Sequence, residues 1–73
     1  MYYIIKEDTL GRVNPDFVTG GFGVDYRDPN ETIRHITNDI DRALVFDTIE
    51  DAKQFLIRGF VVVTQIHGSF KQV

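Results

Sequence analysis

Residues 43–66, ALVFDTIEDAKQFLIRGFVVVTQI, contain the clearest helix and strand signals of the chain. Thr48 is a typical N-cap, and Asp51 follows it at the spacing of a capping box. Three apolar residues then recur at the i, i+3, i+4 spacing of one helix face: Ala52, Phe55 and Leu56. Gly59 suits the left-handed residue that follows a helix. The pattern therefore predicts a helix over about residues 49–58.

Strand signals lie on both sides of this helix. Residues 60–66, FVVVTQI, are β-branched and at first apolar on both faces, which predicts a well-buried central strand. Residues 43–46 predict a short strand, and the Tyr- and Ile-rich residues 1–6 predict another. Residues 32–37 alternate like a strand. A helix through Ile33, Ile36 and Ile40 stays an alternative, although β-branched residues disfavour it.

The glycine-rich stretch FVTGGFGVDYRDPNE occupies residues 17–31. A phosphate-binding loop needs its glycines to be followed by a helix, but Phe22, Val24 and Tyr26 alternate with polar residues and glycine as in a strand. The stretch also resembles the RNA-recognition signature, but it lacks that signature's basic residue and central aromatic residue. We interpret residues 19–21 as a turn or bulge between strands and residues 28–31 as a further turn. Residues 38–41 fit a short helical turn.

The predicted order of elements is three strands, a short strand, a helix and a strand. We therefore expect an α+β fold that forms one domain over residues 1–73, in which one helix packs on one face of a small antiparallel sheet of four to five strands. One short helix covers a sheet face incompletely. We expect aromatic side chains on the other face or at an edge strand to bind a partner, together with nearby acidic residues. The candidate residues are Tyr3, Phe22, Asp25, Tyr26 and Asp28.

Charge is distributed unevenly along the chain. The net charge is −3, but residues 1–51 contain all eleven acidic and five basic residues and sum to −6, whereas residues 52–73 sum to +3. The acidic part would repel a nucleic-acid backbone, so we expect a protein partner, or self-association of so small a chain, before nucleic acid. No apolar run is long enough to cross a membrane and no signal peptide is evident, which predicts a cytoplasmic protein.

Residues suited to catalysis or metal binding are few. The chain has no cysteine, which excludes disulfides, thiol catalysis and thiolate metal sites. His35 and His67 lack the spacing of zinc ligands. Ser69, the only serine, lies near the terminus, whereas a nucleophile needs rigid placement. The acidic residues at the helix start are explained by capping. We expect no enzyme, no catalytic residue, no metal and no cofactor.

Residues 36–52, ITNDIDRALVFDTIEDA, resemble the pattern T-x-D-x-x-x-A-x-x-F-x-T-x-E-[ED]-A of small uncharacterised proteins of Gram-positive bacteria and their phages. Those proteins also tend to begin with a Tyr- and Ile-rich strand. The resemblance implies an α+β fold and a phage or prophage-like setting, and it implies no reaction. The pattern consists of structural positions and supplies no catalytic residue.

These observations favour a small non-enzymatic protein-interaction or regulatory module. The alternative is a nucleic-acid-associated protein that uses strand aromatics and the basic residues of the C-terminal segment, Lys53, Arg58 and Lys71.

Overall fold

The computed structural model describes residues 1–23 and 32–73, which form five strands, one α-helix and two 3₁₀ turns. The elements are β1 (Tyr2–Lys6), a 3₁₀ turn (Glu7–Thr9), β2 (Phe17–Phe22), β3 (Ile33–Thr37), a 3₁₀ turn (Ile40–Arg42), α1 (Ile49–Gln54), β4 (Phe60–Ile66) and β5 (Ser69–Gln72). Residues 33–37, within the predicted 32–37, thus form a strand rather than a helix. The expected turn over residues 28–31 lies outside the described residues, as does most of the strand expected after Phe22.

The five strands form one antiparallel sheet in the order β3-β2-β1-β4-β5. With the single short helix, this confirms the predicted α+β class. β4 lies between β1 and β5, and its pairing with β1 runs without a break from Tyr2 opposite Thr64 to Lys6 opposite Phe60. The apolar sequence of residues 60–66 correctly predicted a central strand, because such a strand has both faces covered.

Residues 43–46 fill a gap between β1 and β2. β1 and β2 pair at Ile5 and Phe17, and β2 then diverges. The backbone N–H of Leu44 donates to the Val18 carbonyl at 3.0 Å, and Tyr2 and Phe46 exchange two backbone hydrogen bonds of 2.9 Å. The short strand predicted here is therefore a single β-bridge, because the segment makes bonds to two diverging strands rather than a ladder with one.

The helix packs on one face of the sheet. Ala52 is fully buried and forms a cluster with Ile4, Val18 and Val62. The Thr48 Oγ1 accepts a hydrogen bond of 3.1 Å from the backbone N–H of Asp51, which confirms the predicted N-cap.

The helix ends at Gln54, so the predicted end at residue 58 is wrong. The N–H groups of Phe55 and Leu56 bond to carbonyls three residues earlier, as in a 3₁₀ turn, which tightens the chain and stops the α-helix. Gly59 has the expected left-handed conformation, with φ of 90°. It follows a separate turn in which the Phe60 N–H bonds to the Ile57 carbonyl.

The opposite face of the sheet is also closed, because the sheet curls. Phe17 on β2 and Phe70 on β5 have β1 and β4 between them, so in a flat sheet their strands would lie about 14 Å apart at the usual strand spacing. Their ring centroids are only 5.1 Å apart. Tyr3 makes edge-to-face contacts with both rings, at 5.7 and 6.2 Å. A second buried cluster of Tyr3, Ile5, Phe17, Val61 and Val63 results.

A tight hairpin joins β4 to β5. Its two turn residues, His67 and Gly68, have φ angles of 50° and 81°, as a type I′ turn requires. Ser69 therefore begins a paired strand, where the sequence had suggested a mobile chain end. No helix within the described residues has the length and apolar composition needed to cross a bilayer.

Candidate interaction edge

The β2–β3 ladder depends on one glycine. Its register shifts between Val18 and Gly20, so the predicted bulge is present, although it lies within β2 rather than between two strands. Gly21 has φ of 146°, and a Cβ built on it would lie 2.1 Å from the Ile33 carbonyl oxygen. Gly20 has no atom within 4 Å of the same position. Only a residue without a side chain allows β3 to lie this close to Gly21.

Arg34 links β3 by hydrogen bonds to the residue after α1 and to the end of β2. Its Nε and Nη2 donate to the Phe55 carbonyl at 3.1 and 3.0 Å, just after the end of α1. Its Nη1 and Nη2 also donate to the carbonyls of Phe22 and Gly23, at 3.0 and 2.9 Å. The guanidinium carbon lies 3.9 Å from the centroid of the Phe55 ring, which adds a cation–π contact.

The charged guanidinium group of Arg34 therefore donates its hydrogen bonds to carbonyl groups of the same chain. Burial lowers the pKa of Arg34 from its ordinary value, because desolvation disfavours the cation. An arginine still remains protonated under physiological conditions, and four backbone carbonyls accept its hydrogen bonds. The sequence contained only a weak signal for this role, which was a single charged residue in an otherwise uncharged strand.

β3 is an edge strand with apolar residues on both faces. Among the described strands it pairs with β2 alone. Ile33 and Ile36 are three residues apart and hence lie on opposite faces, and they are 37% and 45% exposed. Phe22, directly opposite Ile33 in the ladder, is 55% exposed. A strand that is apolar on both faces is typical of a sheet interior rather than of a free edge.

The other edge of the sheet is protected. β5 has four residues, and its polar residues Ser69, Lys71 and Gln72 are exposed, while Phe70 packs inward. Short strands and lysines are common means by which proteins prevent unwanted strand pairing. β3 has no lysine or proline, and its arginine is bound to carbonyl groups. The two edges therefore differ in their capacity to accept a further strand.

The five residues predicted to bind a partner differ in exposure and in whether the structure describes them. Phe22 is exposed beside the β3 edge, as expected. Tyr3 is only 6% exposed, so the expectation that it lies open on the uncovered sheet face is wrong. The curl of the sheet, which brings Phe70 over Tyr3, is the physical reason. Asp25, Tyr26 and Asp28 lie outside the described residues.

Groups suited to other chemistry are dispersed. His35 is exposed on β3, and His67 is exposed in the β4–β5 turn. Within residues 1–23 and 32–73, no three histidine, aspartate or glutamate residues lie close enough to hold a metal ion.

Comparison with known proteins gave no relative. No protein-family model matches the chain, and neither a curated protein nor a solved structure does.

Proposed function

We propose that this chain is a small non-enzymatic interaction module that binds an extended segment of another protein along β3. The observation that carries the proposal is the pair of exposed isoleucines on opposite faces of β3, an edge strand that pairs with β2 alone among the described strands. Such an edge accepts an incoming strand through backbone hydrogen bonds, and the side chains on its two faces select which strand binds.

The backbone groups and side chains of the β3 edge indicate which kind of segment it binds. Backbone N–H and C=O groups along an edge need an extended backbone as their partner. Ile36 on one face, and Ile33 with Phe22 on the other, favour apolar side chains at alternate positions of the incoming strand. The net charge of −3 favours a segment whose flanks are basic, because opposite charge speeds association.

A second copy of the chain is the alternative occupant, as the small size of the chain predicted. Two copies that each carry a net charge of −3 repel one another, so we favour a different protein. The resemblance to proteins of Gram-positive bacteria and their phages suggests, in addition, that the module regulates a host protein. A cytoplasmic location fits such a role and remains a prediction.

The nucleic-acid alternative has less support. Its three basic residues, Lys53, Arg58 and Lys71, lie on α1, in the turn after it and on β5. Of the aromatic residues proposed for stacking, Phe22 is exposed, whereas Tyr26 lies outside the described residues.

Affinity capture with two matched variants tests the proposal. Ile36→Lys places a charge on β3, whereas Ile66→Lys makes the same change at the end of β4, where the isoleucine is 47% exposed against 45% for Ile36. Both variants and the wild type are used to capture proteins from a nuclease-treated lysate of the source organism. We expect one protein to be retained by the wild type and by Ile66→Lys and to fall about tenfold or more with Ile36→Lys.

Three results would contradict the proposal. One is equal loss of the protein in both variants, and another is equal retention in both. The third is concentration-dependent dimerisation of the wild type in analytical ultracentrifugation that Ile36→Lys abolishes, because the occupant would then be a second copy. Circular dichroism of each variant serves as the control for retention of the fold.

A further inference from the structure

A shallow basic groove lies between two segments that are distant in sequence. The loop after the first 3₁₀ turn contributes Gly11, Arg12 and Val13, and the β4–β5 hairpin contributes Gly68, Ser69, Phe70 and Lys71. The groove has a volume of about 210 Å³. None of these residues belongs to β3 or to the edge to which the function proposed above is assigned.

The charge of the groove is opposite to that of the chain. Among the described residues that line it, only Arg12 and Lys71 are charged, whereas the whole chain has a net charge of −3. Both side chains are exposed, and neither forms an ion pair with a described residue. Both side chains carry a positive charge beside the same groove, so an anion bound in the groove would be attracted to both.

The backbone of the groove is open to a ligand. Gly11 and Gly68 have φ angles of 97° and 81°, and at each of them the position of a Cβ has no atom within 4 Å. Ser69, which also lines the groove, carries a hydroxyl group that can donate a hydrogen bond. Arginine, lysine, a hydroxyl group and accessible backbone are the groups that proteins use to bind phosphate oxygens.

We infer that this groove binds a single phosphate group through Arg12 and Lys71. The volume is below the roughly 300–1,000 Å³ that is typical of sites for whole small molecules, so the groove holds one anionic group rather than a complete ligand. That group belongs either to a small phosphate ester or to one phosphodiester of a nucleic acid, and the chemistry of recognition is the same for both.

The test is a titration of ¹⁵N-labelled protein with sodium phosphate, compared with sodium chloride at equal ionic strength. We expect saturable amide shifts confined to residues 11–13 and 68–71. Arg12→Ala and Lys71→Ala should each weaken phosphate binding by about tenfold, because each removes a charge-assisted hydrogen bond. Lys53→Ala removes an exposed lysine of α1 that does not line the groove, and it should leave binding unchanged.

A second titration with a ten-residue oligothymidylate distinguishes the two sources. Tighter binding than inorganic phosphate, with loss of binding in the Arg12→Ala and Lys71→Ala variants, identifies a phosphodiester. Binding no tighter than that of inorganic phosphate excludes the nucleic acid and leaves a small phosphate ester as the source of the group.

Phosphate shifts that fail to saturate, that chloride reproduces, or that persist in both groove variants would overturn the inference. The Ile36→Lys variant separates this outcome from that of the proposed function. It should bind phosphate normally even where it no longer captures a protein.

Discussion

Gly21→Ala should disrupt the β2–β3 ladder, whereas Gly20→Ala, the same change one residue earlier, should be tolerated. A Cβ at residue 21 would lie 2.1 Å from the Ile33 carbonyl oxygen and 2.9 Å from the Arg34 Cα. Ordinary contact begins at 3.4 Å, so β3 would have to move by 1.3 Å, the difference between 3.4 and 2.1 Å. Both contacts are with backbone atoms, which cannot rotate away.

The cost follows from two contributions. A φ of 146° is a conformation that residues with side chains rarely adopt, and such strain costs of order 1–3 kcal/mol. Displacement of β3 also weakens ladder hydrogen bonds worth about 1 kcal/mol each. We expect a loss of about 3 kcal/mol, which is a large part of the roughly 4–11 kcal/mol total for a chain of this length.

Thermal and urea unfolding followed by circular dichroism measure the difference. A loss of about 3 kcal/mol lowers the melting temperature by roughly 12–24 °C in a domain of this size. Gly20→Ala should change the stability by less than about 1 kcal/mol and in the stabilising direction, because alanine reduces the entropy of the unfolded chain. Equal melting temperatures for the two variants would refute the close approach of β3 to Gly21.

Three further substitutions test other contacts. Thr48→Ala should lower the free energy of unfolding by about 1 kcal/mol through loss of the N-cap, and Thr48→Ser should restore it; an unchanged urea midpoint for Thr48→Ala would mean that the helix starts elsewhere. Arg34→Lys should lose roughly 1–3 kcal/mol of unfolding free energy, because one ammonium group cannot bond to all four carbonyl groups that the guanidinium binds. Arg42→Lys, on a side chain that is 79% exposed, should be neutral in the same assay. Thr9→Val should cost about 1–3 kcal/mol because the Thr9 Oγ1, in a residue only 1% exposed, links the Lys6 carbonyl to the Asp16 N–H; calorimetry that shows no loss would contradict that role.

Elements specified by neighbouring residues could be predicted from the sequence. The cap at Thr48 is a hydrogen bond between residues three positions apart. The apolar sequence of β4 by itself predicts that this strand is buried. Because side chains on a strand alternate between its faces, the alternation of residues 32–37 favoured a strand over the alternative helix, and β3 lies within that segment. The end of α1 was missed because Gly59 marks a later turn rather than the end of the helix.

Features that depend on distant residues could not be predicted in this way. The burial of Tyr3 follows from the position of Phe70, which lies 67 residues later on a strand that the sequence did not reveal. The β4–β5 turn was missed because His67 adopts a positive φ without being glycine or asparagine. The role of Arg34 rests on the Phe55 carbonyl, 21 residues away.

The most direct test of strand addition at β3 is residue-resolved amide hydrogen exchange of the labelled protein, alone and with the protein recovered by affinity capture. Pairing with an incoming strand should slow the exchange of β3 amides that face away from β2 and leave β5 unchanged, because only paired N–H groups become protected. New protection on β5, or none on β3 in a saturated complex, would contradict binding at this edge.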